Sequence, residues 1–140
     1  MTAGGTVANI TALWAARECR GVKKVLVSDR AHNSIKKAAD LLKLEHIVVK
    51  SNPKTHRMEA SAFEGIDLKD AIIVLTAGTV QVGAIDDLSI AKKYGSGLAG
   101  KVQEKAAWVH VDGKGLPLLS CLYTRMSTHH LIYLVISLTL

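Results

Sequence analysis

The residues able to do chemistry in this chain stand at the ends of its apolar runs. Near the amino terminus, "TAGGTVAN" (Thr2 to Asn9) sets two adjacent glycines, Gly4 and Gly5, and the hydroxyl of Thr6 at the point where a helix would begin. Glycine backbone lets a ligand come close, and the N–H groups that open a helix attract an anion. His32 follows the run "VLVS", Thr76 and Thr79 follow "AIIVL", and Asp112 follows "WVHV". An anion cup, a flat imidazole, small hydroxyls and one carboxylate suit a phosphorylated heteroaromatic cofactor. Pyridoxal phosphate needs its phosphate held, its ring clamped on a face, and its pyridine nitrogen kept protonated by an acid. Asp112 would be that acid. Taken singly, a Gly-Gly-Thr turn is a helix entry, a histidine after a strand is a surface or capping residue, and an aspartate there is a cap. Their shared placement is what points to a site.

The elements that must position these residues alternate along the chain. Ile10, Leu13 and Trp14 follow helical spacing, so Val7 to Arg20 reads as a helix stopped by Gly21. "KKVLVSD" reads as a buried strand, "SIKKAADLLKL" as an amphipathic helix with Ile35, Ala38, Ala39 and Leu42 on one face, and "HIVVK" as a second strand. After a polar loop at Asn52-Pro53 come a short helix, "MEASAFEG", and a continuously apolar strand, "AIIVLTAG". "IDDLSIAKKYG" opens on Asp86-Asp87, suited to a helix start, and closes on Gly95; "GSGLAGKVQEKA" is a loop, and "AWVHVD" the last strand. Continuously apolar strands between helices predict an α/β fold with a mostly parallel sheet flanked by helices. In such sheets ligands gather outside the carboxyl ends of the strands, where Gly5, Thr6, His32, Thr76, Thr79 and Asp112 are expected to meet.

Composition excludes several other classes. The 140 residues suit one domain, and 49% hydrophobic content can build a core. Lys plus Arg exceed Asp plus Glu by 18 to 12, yet the basic residues sit in scattered pairs and aromatics are only 4%, which argues against nucleic-acid binding. Cys19 and Cys121 have no metal-like spacing, so no metal site is expected, and free thiols in a reducing cytoplasm are. The apolar end "HLIYLVISLTL" (His130 to Leu140) is shorter than the roughly 20 residues that a membrane-spanning helix needs, so no membrane anchor is expected.

The segments "TAGGTVANITALWAARE", "VLVSDRAHNSIKKAADLL", "LTAGTVQVGAIDDL" and "WVHVD" resemble, in order, the pyridoxal-phosphate-dependent amino-acid decarboxylases, the group II family of glutamate, aspartate, tyrosine and aromatic amino-acid enzymes. The resemblance covers residues 1–119 and implies a partial aspartate-aminotransferase-like large domain (fold type I), in a family of homodimers acting on small amino-acid substrates. It implies Gly5 and Thr6 at the cofactor phosphate, His32 stacked on the ring, Thr79 beside the cofactor and Asp112 at the pyridine nitrogen. His110 belongs to the same signature, and Asn9 supports the turn. The family's Ser...His-Lys segment with its imine lysine does not follow Asp112 here, so the chain is expected to be a fragment, inactive alone. Lys114 stands where a small residue is usual, and residues 120–140 form an atypical apolar tail. The alternatives are a non-catalytic cofactor-binding or association module, and a cysteine-desulfurase-like or aminotransferase-like enzyme.

Overall fold

Residues 4–95 and 108–113 are described in the computed structural model. The run Ala71–Ala77 (β3) is buried at six consecutive positions, which a strand reaches only when both sheet faces are covered. It lies inside a four-stranded parallel sheet with β1 (Lys24–Ser28), β2 (Glu45–Val49) and β4 (Trp108–Gly113), in the order β2-β1-β3-β4. The chain steps outward from β1 to β2 and then returns to place β3 on the other side of β1. This reversal opens a crevice at the carboxyl ends of β1 and β3. Parallel register pairs Thr76 with Asp112 at those ends.

Two helices, α1 (Gly5–Arg20) and α2 (Asn33–Leu42), cover one face of the sheet. Leu13, Ala16, Ile35, Ala38, Ala39 and Leu42 pack there on Val25, Val27, Ile72, Val74 and Trp108. The buried stripe of α1 runs through Ala8, Ala12, Leu13 and Ala16, so small side chains let the two helices approach. Trp14, expected with the apolar set, lies off that stripe and is 53% exposed. Gly21 ends the helix in the left-handed conformation (φ 62°), and its N–H donates to the Arg17 carbonyl, the stop that the sequence predicts. On the other face, Met58, Phe63, Leu68, Ile90 and Ala91 cover Leu26, Ile73, Leu75, Val109 and Val111.

Two expected helices differ in form. "MEASAFEG" contains a single 3₁₀ turn, Ala60–Phe63, and the helix expected from Asp86 starts later, as α3 (Ser89–Tyr94). Asp86 is instead a buried anchor, 2% exposed. One carboxylate oxygen accepts the Met58 N–H and the other accepts the Thr76 N–H, each at 2.7 Å. Burial pushes the Asp86 carboxyl up, and these two N–H donors pull it back. The loop expected at 96–107, Lys114, Cys121 and the tail at 120–140 lie outside the described residues; Cys19 is a free, exposed thiol.

Because Asp86 ties the Met58 segment to the end of β3, Asp86→Ala leaves two buried donors unpaired. The expected loss is about 3 kcal/mol of folding stability, read from urea denaturation, with Asp86→Asn losing less. Equal midpoints and slopes for the parent and Asp86→Ala chains would refute this anchoring role.

Candidate functional site

The crevice at the strand ends holds a cavity of about 240 Å³. Gly5, Thr6 and Asn9 line it from the start of α1, Arg30 and His32 from the β1–α2 connection, Thr76, Gly78 and Val80 from the end of β3, and Asp112 and Gly113 from β4. Gly5, Thr6, His32, Thr76 and Asp112 are thus brought together. Thr79 is buried but is not among the lining residues; its hydroxyl accepts the Ala84 N–H at 3.0 Å and closes the loop that follows β3.

Two features of this cavity call for a ligand. The first turn of α1 has no side-chain cap and no acidic residue, and Gly4 before it is at φ 110°, a conformation that favours glycine. Its leading N–H groups are therefore set to receive an anion. The Thr76 hydroxyl, on a residue only 4% exposed, has no hydrogen-bond partner among the described residues. A buried hydroxyl left unpaired costs about 1–3 kcal/mol, and a bound polar group beside Asp112 would satisfy it.

Behind the cavity runs a chain of hydrogen bonds, part-buried at His32 and buried from Asn9 inward, that sequence reading did not foresee. The Ser34 N–H donates to His32 Nδ1 at 3.2 Å, so that nitrogen is an acceptor. The Ser34 hydroxyl, 2.8 Å from the same nitrogen, must then donate to it as well. Ser34 Oγ in turn accepts from Asn9 Nδ2 at 2.9 Å, which turns Asn9 Oδ1 toward His110 Nε2 at 2.8 Å. His110 consequently carries its proton on Nε2. Asn9 also donates to the Asp112 carboxylate, which burial pushes up and which this bond and the nearby His32 pull back. One amide thereby joins the histidine of the β1–α2 connection to the acid of β4. Its signal in the sequence was a polar residue on the buried stripe of α1.

No family model matches the chain. It is 30% identical over 159 residues to an aspartate 1-decarboxylase from Aliivibrio fischeri, covering 88% of this chain and 28% of that protein. A probable L-tyrosine/L-aspartate decarboxylase from Methanopyrus kandleri is 30% identical over 113 residues, covering 80% of this chain and again 28% of the relative. Mouse CSAD superposes with a TM-score of 0.62 at 26% identity, over 79% of this chain and 26% of that one. The chain belongs to the group II pyridoxal-phosphate-dependent decarboxylase family. It spans little more than a quarter of the length of these relatives, and its sheet is part of the fold type I domain. Among the described residues no helix is long and apolar enough to cross a membrane. No group of His, Cys, Asp and Glu among them is placed to hold a metal ion.

In this decarboxylase-family chain His110 is fully buried, and burial pushes its pKa down from 6.5 to about 4. The folded state keeps it neutral while an unfolded chain protonates it below 6.5, so its contribution is present above that pH and is lost as pH falls through about 4. The loss amounts to about 3 kcal/mol. Asp86 and Asp112, raised by burial, act in the opposite sense. Denaturation at pH 7 and pH 4 of the parent and His110→Gln chains isolates the histidine, and the parent should show the larger acid loss by about that amount. A second check is imidazole ¹⁵N spectroscopy. Asn9→Leu is expected to release His110 from the Nε2–H form, and an unchanged tautomer would break the proposed chain of donors.

Proposed function

We propose that this chain is the cofactor-holding part of a pyridoxal-phosphate-dependent amino-acid decarboxylase acting on an acidic or aromatic amino acid. The observation that carries the reading is the convergence, on one cavity, of the uncapped start of α1, the unpaired Thr76 hydroxyl and the Asp112 carboxylate. When bound, pyridoxal phosphate supplies a sink for the electron pair left as a carboxylate departs as carbon dioxide. Gly5 and Thr6 would hold its phosphate through the N–H groups that open α1. Asp112 would keep the proton on the pyridine nitrogen, and Asn9 would orient that carboxylate. His32 would lie against the ring, its Nδ1 tied back to Ser34. Thr76, paired in register with Asp112, would give a hydroxyl to the ring edge, while Thr79 would shape the loop beside it. The family homodimer and a cytoplasmic setting belong to this reading.

A second reading is a cofactor-holding module without turnover. It is favoured by one observation: among the described residues, no lysine lines the cavity.

Titration of the chain with pyridoxal phosphate, followed by visible absorbance, tests both. Saturable binding is expected, weakened at least tenfold in Asp112→Ala and about fivefold in Thr76→Val, the latter corresponding to about 1 kcal/mol for one hydrogen bond. If the parent chain shows no saturable uptake, the cofactor assignment is wrong for this chain. Carbon dioxide release from L-aspartate or L-tyrosine by the loaded chain separates the first reading from the second.

A further inference from the structure

Arg30 lines the cavity, yet the roles above leave it unused. It follows β1, and its guanidinium Nη1 donates to Gln81 Oε1, in the loop after β3, at 2.5 Å. The side chain thus bridges the mouth of the crevice between the two strands where the sheet order reverses. Its charge has no counterion within ion-pair distance among the described residues. The four ion pairs there involve other cations, and Asp29 only feels its field from further off. Asp112 is influenced by His32 and not by Arg30, so the guanidinium is not the partner of that acid.

Arg30 and the start of α1 enter the cavity from different elements. The helix α1 packs on β4 and α2, whereas the Arg30–Gln81 bridge spans β1 and β3. A phosphate held by the N–H groups at Gly5 and Thr6 would leave the Arg30 guanidinium for a second anion. Gln81 engages only Nη1 and brings no negative charge. Nε and Nη2 form the edge of the fork that matches a carboxylate with two parallel hydrogen bonds.

We propose that Arg30, oriented by Gln81, is the subsite for a carboxylate of the substrate, and that it selects an acidic amino acid over an aromatic one. This rests on the cofactor reading above and narrows it to one substrate class. Recognition is by charge and planar geometry, so a lysine at the same place would supply the charge without the fork.

The test uses the full chain with succinate, a dicarboxylate that has no amino group to condense with the cofactor aldehyde. Calorimetric titration is run with and without bound pyridoxal phosphate on the parent, Arg30→Gln, Arg30→Lys and Gln81→Leu chains. Succinate is expected to bind the parent and to bind Arg30→Gln about tenfold more weakly, with Arg30→Lys and Gln81→Leu between them. Butyrate, with one carboxylate, is expected to bind the parent more weakly than succinate. Cofactor affinity is expected to be the same in all four chains. Equal succinate binding by the parent and Arg30→Gln, or none by the parent, overturns the proposal. So does a loss of cofactor affinity in Arg30→Gln, which would place the guanidinium on the phosphate instead. Failure of the parent to take up pyridoxal phosphate would overturn the cofactor reading, and the cofactor-free succinate titration would still decide the role of Arg30.

Discussion

Asn9 is 1% exposed in the first helix, and an amide so placed needs neighbours for both of its ends. Its oxygen takes the His110 N–H and its nitrogen serves Ser34 and Asp112. These partners belong to α2 and β4, elements that α1 must contact at one angle if the distances of 2.8–2.9 Å are to hold. Apolar packing among Ala8, Ala12, Leu13 and Ala16 tolerates small slides of the helix, whereas a hydrogen bond weakens steeply with misalignment. The amide therefore sets the position of the α1 start over the ends of the strands. The placement of the uncapped α1 start at the cavity is a consequence of that docking.

A comparable constraint acts from the other face of the sheet. Asp86 accepts N–H groups from Met58 and Thr76, and so carries the 3₁₀ side of the molecule onto the last turn of β3. Burying a carboxylate is costly, and here both oxygens receive a charge-assisted bond at 2.7 Å. The loop beyond is closed by a different residue, Thr79, through its hydroxyl and backbone. With the backbone of Thr76 held by Asp86 and Asp112 held by Asn9, a register pair of neighbouring strands is fixed from two sides.

The sequence disclosed the strands because their signal is local. Six consecutive buried positions in β3 leave little choice but a doubly covered strand, and Gly21 marks the end of α1 through its own backbone preference. Asp86 was misread for the opposite reason. An aspartate before a helical stretch looks the same whether it caps that helix or bonds a backbone N–H 28 positions away at Met58. Asn9 posed the same difficulty, since its partners lie 25 and 101 positions along the chain. Strand-end residues such as His32 and Asp112 were legible because topology alone sends them to one edge. Thr76 and Thr79, three positions apart, could be told apart only once the loop closure that engages one hydroxyl and leaves the other open was visible.

That last distinction separates scaffold from site on physical grounds. Asp86, Asn9, Ser34 and Thr79 all have their polar side-chain groups engaged within the protein, and each holds a turn or helix in place. The Thr76 hydroxyl and the leading N–H groups of α1 have no such side-chain partners, and both face the cavity at the switch point. Leaving the buried Thr76 hydroxyl open costs about 1–3 kcal/mol. A ligand with an anionic end and a polar ring edge would recover that cost on binding. Because the open groups sit on strand ends and a helix start, little backbone would have to be ordered to receive it.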